Sequence, residues 1–191
     1  MAAPSFADPG HGWALPSDPP EPGQSAGLLA TADGGKTWRP TPAPCGGKWS
    51  EPAAVSFPTS RTGWLVCAGQ PGAGQQMKAL YRTDDGGRTW ALVRDLSGAG
   101  YVDGVFFRPE GHGWVWMSRG NLLATEDGGR EWKVLDVTSP EVVEARSVWF
   151  VSDTEGFALL QDNERRAWRL DATRDAGKTW STVRTWHMRV R

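Results

Sequence analysis

The sequence predicts an all-β chain of four four-stranded blades, the building unit of a β-propeller. Three observations predict it. Two short motifs recur in phase four times, the apolar runs are four to six residues long, and tryptophan is used to excess. The 191 residues include 12 Trp against 6 Phe and 2 Tyr, with 24 Gly and 14 Pro. A costly, large side chain used this often suggests one packing role repeated. Abundant Gly and Pro suit many short strands joined by tight turns.

The first motif is Thr31-Ala32-Asp33-Gly34-Gly35-Lys36-Thr37-Trp38. It returns at Thr83–Trp90, at Thr125–Trp132 and at Thr173–Trp180, with the shared pattern Thr-x-Asp-x-Gly-x-Thr-Trp and Glu131 as the one departure. The second is a Phe followed by a Gly-Trp step. It reads Phe6 with Gly12-Trp13, Phe57 with Gly63-Trp64, Phe107 with Gly113-Trp114, and Phe150 with Gly156-Phe157, where Phe replaces Trp. The lead-in Ala2-Ala3-Pro4-Ser5-Phe6 also resembles Ala53-Ala54-Val55-Ser56-Phe57. A beat of about 40–50 residues is the period of a propeller blade. The blades fall near 1–44, 45–97, 98–138 and 139–191.

Each copy divides into four strands. The first is short and apolar, as in Ala54–Phe57 or Gly104–Phe107. A polar turn leads to the second, which starts at the Gly-Trp step, as in Trp64–Cys67. The third runs into the Asp motif, as in Lys78–Thr83. The fourth starts at the motif's Trp, as in Trp90–Val93. The best helical candidate, Pro140–Ala145, is one turn at most. One such sheet cannot bury both faces, whereas stacked blades cover each other. Trp13, Trp64, Trp114 and Phe157 are placed to fill the gaps between blades.

The Asp motif reads as turn chemistry. The carboxylates of Asp33, Asp85, Asp127 and Asp175 can accept backbone N–H groups two to four residues on. Gly35, Gly87, Gly129 and Gly177 supply a positive φ. The motif's Thr hydroxyl can close another local bond, and Trp38, Trp90, Trp132 and Trp180 fold back over the turn. A Ca²⁺ loop needs six or more oxygens, and each motif supplies one or two carboxylates. Four identical turns therefore point to architecture, with neither metal nor cofactor expected.

These residues resemble the BNR/Asp-box repeat proteins. That group holds sialidases, other glycoside hydrolases, sortilin-type receptors and the Ycf48-like photosystem II assembly factors. The Gly-Trp step with Thr-x-Asp-Gly-Gly-x-Thr-Trp is most similar to the last of these, and the resemblance spans essentially the whole chain. It implies the propeller fold. It implies less about function, because the same blade hosts enzymes, receptors and assembly factors.

The residues favour a non-catalytic scaffold that binds a protein, with a sialidase-like glycoside hydrolase fragment, and hence a carbohydrate ligand, as the alternative. Sialidases of the group use an arginine triad, a Tyr/Glu nucleophile pair, an Asp acid/base and a Phe-Arg-Ile-Pro-like segment. Here Phe107-Arg108-Pro109 lacks the aliphatic residue and reads as a turn after a first strand. The nucleophile candidates are Tyr81, which reads as a packing residue, and Tyr101, which follows Gly98-Ala99-Gly100. Asp95, Asp103, Glu110 and Asp153 are available as acids, though acids in turns are usually just solvated. His11 and His112 each precede a Gly-Trp step, so the three His residues suggest no zinc site. The longest loop insertion, Ala68–Gln76, is the candidate partner contact.

Net charge is −1, with 21 basic and 22 acidic residues. No basic stripe suggests nucleic acid, and no apolar run approaches the length of a membrane span. Cys45 precedes the second blade and Cys67 ends its second strand. A disulfide between them would close about 21 residues and contribute about 3 kcal/mol; the competing reading is two free thiols. The disulfide implies an oxidising, exported location. No leader precedes Phe6, which is expected if the chain is part of a longer protein. The four blades are accordingly expected to form an arc of a larger ring of 6–8 blades rather than a small closed ring.

Overall fold

A computed structural model describes residues 4–16, 27–96, 100–118, 121–136 and 143–187. The lead-in Ala2-Ala3, the Gly98-Ala99 stretch, residues 140–142 and the end from Met188 lie outside the described residues. Sixteen strands form four sheets within them. Blade 1 holds β1 (Ser5–Phe6), β2 (Gly12–Ala14), β3 (Leu28–Thr31) and β4 (Arg39–Thr41). Blade 2 holds β5 (Glu51–Ser56), β6 (Gly63–Ala68), β7 (Lys78–Thr83) and β8 (Ala91–Leu96). Blade 3 holds β9 (Val102–Phe107), β10 (Gly113–Met117), β11 (Asn121–Thr125) and β12 (Lys133–Asp136). Blade 4 holds β13 (Val143–Phe150), β14 (Gly156–Asp162), β15 (Ala167–Thr173) and β16 (Ser181–His187).

Every sheet is an antiparallel meander in chain order. The first strands of successive blades touch, β5 with β9 and β9 with β13. The result is a partial propeller of four blades. Two boundaries differ from the sequence reading. The fourth strands begin one residue after the motif's Trp, at Arg39, Ala91, Lys133 and Ser181, because the Trp belongs to the turn. Residues Val143–Ala145 of the helical candidate lie in β13, held by pairing along Gly156–Asp162.

The core is a set of interfaces between blades. Trp13 and Leu28 of blade 1 pack on Val55, Phe57, Leu65 and Cys67 of blade 2. Trp64, Val66 and Leu80 of blade 2 meet Phe107, Val115 and Met117 of blade 3. Trp114 and Leu122 of blade 3 meet Val148, Phe150 and Leu160 of blade 4. The second strands of the middle blades are buried on both sides, since each lies between two neighbouring sheets.

One junction is repeated at all three interfaces. The Trp of the Gly-Trp step stacks flat on the Phe of the next blade. Ring centroids are 3.7 Å apart for Trp13–Phe57, 4.1 Å for Trp64–Phe107 and 3.6 Å for Trp114–Phe150. The indole N–H then donates to the next blade's Asp turn. Trp13 reaches the Gly86 carbonyl at 3.2 Å, Trp64 that of Gly128 at 3.0 Å, and Trp114 that of Ala176 at 3.3 Å. The motif's Trp closes the Phe from its edge, as in Phe57–Trp90 at 5.9 Å and 80°.

The Gly of the step is required by this Phe. A Cβ on Gly63 would lie 2.4 Å from the Phe57 ring, and one on Gly113 would lie 2.3 Å from that of Phe107. A serine before the Phe adds a bond between first strands. Ser5 Oγ accepts from Phe57 N–H at 2.8 Å, and Ser56 Oγ from Phe107 N–H at 2.9 Å.

The junction explains the ends of the arc. Among the described residues no Trp stacks flat on Phe6, which is 47% exposed, whereas Phe57, Phe107 and Phe150 are 2%, 1% and 3% exposed. Phe157, expected to fill a gap between blades, stacks instead on Trp149 of its own sheet at 5.7 Å. It occupies the outer face of the last blade.

Replacing Trp64 with Ala removes the ring stack and leaves a cavity, so unfolding stability should fall by about 3–5 kcal/mol. Trp64→Phe keeps the ring and loses mainly the hydrogen bond, a loss of about 1–2 kcal/mol. Chemical denaturation of both variants checks this. A loss under 1 kcal/mol for Trp64→Ala would remove the stack as the blade junction.

Candidate functional site

Each motif folds into one turn closed by its own carboxylate. Asp85 Oδ1 accepts the backbone N–H groups of Arg88 and Thr89, each at 2.9 Å. Its Oδ2 accepts the Thr89 hydroxyl at 2.6 Å. Asp33 and Asp175 repeat this with Thr37 and Thr179. The first Thr of the motif has a role that sequence reasoning missed. Thr83 donates its hydroxyl to Asp85 Oδ1 at 2.8 Å and accepts Gly87 N–H at 3.0 Å. Thr31, Thr125 and Thr173 do the same. The invariance of this Thr over four copies was the available signal.

Gly35, Gly87, Gly129 and Gly177 hold φ values of 86°, 89°, 95° and 90°. The preceding position is also left-handed in all four, and blade 4 places Ala176 there at φ 62°. Trp132 and Trp180 fold back and donate their indole N–H to Gly129 and Gly177, each at 2.9 Å. Trp90 turns to the Pro42 carbonyl of the incoming linker at 3.1 Å. Trp38 packs beside Gly35.

These bonds depress the carboxylate pKa values. The Thr37 hydroxyl and N–H hold Asp33 down to about 2. The Thr179 pair holds Asp175 at about 2, and Thr89 pulls Asp85 lower still. Asp127 is lowered chiefly by the Glu131 N–H, and its turn has Glu where the others supply a hydroxyl. The four Asp residues do not converge. Asp33 and Asp85 flank one groove and Asp127 and Asp175 another. Among the described residues, no three His, Cys, Asp or Glu side chains gather as metal ligands would.

The catalytic candidates are dispersed. Tyr81 is half-buried edge-on to Trp49 at 6.3 Å, and burial raises its pKa. Tyr101 is partly exposed, and its N–H donates to Ser118 Oγ at 2.8 Å. Arg108 binds Asp153 of the next blade at 2.9 Å and lies 3.7 Å from Glu110, while His112 is 3.2 Å from the same Asp153. Asp95 faces Lys48 at 3.5 Å. His11 braces Asp8 within its own turn at 2.9 Å.

Two other places have the form of a site. The first is the rim opposite the Asp turns. Cys45 and Cys67 are joined in a disulfide that ties the linker to β6. Lys48 lies over the Trp49 ring at 4.2 Å. The insertion is folded, with Gly72 and Gln75 bonded to each other through N–H and carbonyl groups at 2.9 and 2.8 Å. Gly100 N–H donates to the Gly74 carbonyl at 3.2 Å, which links the loop to the entry of blade 3. Buried Lys78 donates to the Gln76 carbonyl at 2.7 Å beneath it, and Met77 stands 52% exposed.

The second is a central cleft of about 450 Å³, lined by segments of all four first strands with Asp103, Arg108 and Trp116. Trp116 lies over Gly104, where a Cβ would be 2.0 Å from the indole. Its indole N–H is buried and, among the described residues, without a hydrogen-bond partner. Nothing in the repeat pattern marks Trp116, because it falls outside both motifs.

The fold and its junctions define the class, a β-propeller arc. Its structural neighbours include Ycf48 and glycoside hydrolases. One is Ycf48 bound to D1 peptide, with TM-score 0.55, 19% identity, and coverage of 96% of this chain and 81% of that one. Another is the GH93 α-L-arabinofuranosidase of Fusarium graminearum in complex with arabinobiose, at TM-score 0.61 and 15% identity, covering 91% of this chain and 62% of that one. A third is an ancestral GH74 enzyme, at TM-score 0.57 and 16% identity, covering 95% of this chain and 25% of that one. This chain thus spans less than two thirds of either hydrolase. No family model matches the sequence, and no curated protein matches it significantly.

The depressed carboxylates set a pH dependence. Their contribution is present above the ordinary Asp value and is lost as pH falls through the folded value, about 2 for Asp33 and Asp175. Asp85→Asn should be less stable than the natural protein at neutral pH, and the gap should narrow as pH falls from about 4 towards 2. Thermal unfolding across that range checks it, and a constant gap would contradict it. Cys45→Ser with Cys67→Ser opens a cross-link between residues 22 apart and should lower stability by about 3 kcal/mol in denaturant titration.

Proposed function

We propose that this chain is a non-catalytic propeller scaffold that binds a protein partner on the rim opposite the Asp turns. The observation that carries this reading is the braced insertion. A loop ordered by the disulfide, by its own paired turn and by a bond to the next blade stands beside exposed Met77 and Tyr101. Order before binding reduces the entropy cost of association. Likeness to Ycf48 bound to D1 peptide supports the reading. The disulfide supports an exported, oxidising location.

The second reading is a glycoside-hydrolase fragment, favoured by likeness to the GH93 and GH74 enzymes. It needs two acids across one cleft. Asp95 and Asp153 are instead committed to Lys48 and to Arg108 with His112.

Incubation with fluorogenic glycosides, sialosides included, should give no turnover. Cross-linking in the exported fraction of the native host should join a protein at the rim, and Met77→Glu should weaken that adduct at least tenfold. Glycoside turnover abolished by Tyr101→Phe would overturn the scaffold in favour of the hydrolase.

A further inference from the structure

The junction between blades has a giving half and a receiving half, and each end of the arc carries one of them. The giving half is seen on the outward face of blade 3. Phe106, Trp114, Trp116, Leu122 and Ala124 form it, and blade 4 covers it. Blade 4 repeats that face position by position. Its Phe150, Ala158 and Leu160 point to blade 3, so by strand alternation Trp149, Phe157 and Leu159 point away. Leu170 pairs with Leu159 and Ala172 with Phe157, as Leu122 pairs with Trp116 and Ala124 with Trp114. The aromatic pair is kept with its members exchanged, Phe106 with Trp114 in blade 3 and Trp149 with Phe157 in blade 4. Among the described residues no sheet covers the blade 4 face, and Trp149 is 36% exposed.

Blade 1 carries the receiving half. In blade 2 that half is Phe57, Leu65 and Tyr81, with Trp90 edge-on to the Phe. The matching residues of blade 1 are Phe6, Ala14 and Leu29, with Trp38 edge-on to Phe6 at 6.0 Å and 82°. A Cβ on Gly12 would lie 2.6 Å from the Phe6 ring, so Phe6 holds the place over its glycine that Phe57 holds over Gly63. Gly34 keeps the left-handed φ, 74°, of the residues whose carbonyls accept the indole N–H inside the arc.

We propose that these two faces meet between two copies of this chain, blade 4 of each on blade 1 of the other, closing a ring of eight blades. The contact continues the junction that the chain already makes three times within itself. Each copy supplies both halves, so a two-fold pair leaves neither face open. Eight blades lie within the range of closed propellers. Ser5 and Ser56 reach the N–H of the next Phe from the position that Trp149 holds in blade 4, which sets Trp149 beside Phe6 of the other copy. Phe157 gives a ring without an N–H, so this junction lacks the bond to the Gly34 carbonyl and is weaker than the three internal ones. The pairing rests on neither the braced rim nor the partner proposed there.

Sedimentation equilibrium of the whole oxidised chain tests it. The mass should be twice 20.8 kDa, with a dissociation constant on the order of 1 µM. Phe6→Lys and Trp149→Glu should each weaken the pair roughly tenfold or more. An equimolar mixture of the two should restore it, because one junction is then natural and the other sets Lys against Glu. Phe157→Trp should supply the missing N–H to the Gly34 carbonyl and tighten the pair about tenfold. A monomer up to about 100 µM overturns the proposal and leaves the faces to a different polypeptide. An open series of higher multiples overturns the closed pair, and a pair untouched by Phe6→Lys overturns the assignment of blade 1 to blade 4. If either charged variant does not fold, a Phe157→Trp chain that pairs no more tightly than the natural one overturns the proposal equally.

Discussion

Everything in this fold depends on one contact, an indole laid flat on the phenyl ring of the next sheet while its N–H holds that sheet's turn. The contact joins the two sequence motifs, one contributing the ring stack and the other the acceptor carbonyl. It also sets the glycine, because the Phe that receives the indole lies over the Gly of its own sheet, as Phe107 lies over Gly113. A single sheet of this kind has no core. The buried Phe, Trp and Leu residues become a core only where two sheets meet.

The Asp turn serves this contact by fixing the geometry of the acceptor. Two hydroxyls, two N–H groups and a carboxylate lock the loop. Two left-handed residues then aim the carbonyl of the first one at the incoming indole. Carboxylates used so completely are poor candidates for chemistry on a substrate. Turns placed identically on four blades are likewise poor candidates for a single site.

Individuality lies in the departures from the repeat. Glu131 replaces a hydroxyl that the other turns use, and Ala176 adopts a backbone conformation that its neighbours give to glycine. Phe106 and Trp149 stand where Ser5 and Ser56 bond the next first strand. A residue that breaks a structural period is released from the period's packing role, and its chemistry becomes available for other use.

The sequence by itself determined the blade: its four strands, the turn with its Asp and Gly, and the Trp that reaches outward. These are local or periodic properties, so spacing alone exposes them. The third strand of blade 2 was legible to the residue, while the fourth strands were read one residue early because the indole belongs to the turn. Only the tertiary structure decided what each Trp touches, how the first Thr of the motif is spent, and which sheet faces stay open. It alone set Trp116 over Gly104 and Arg82 over Trp64. Such contacts join residues of different strands or blades, and their partners are chosen by how sheets stack, which a one-dimensional pattern does not encode.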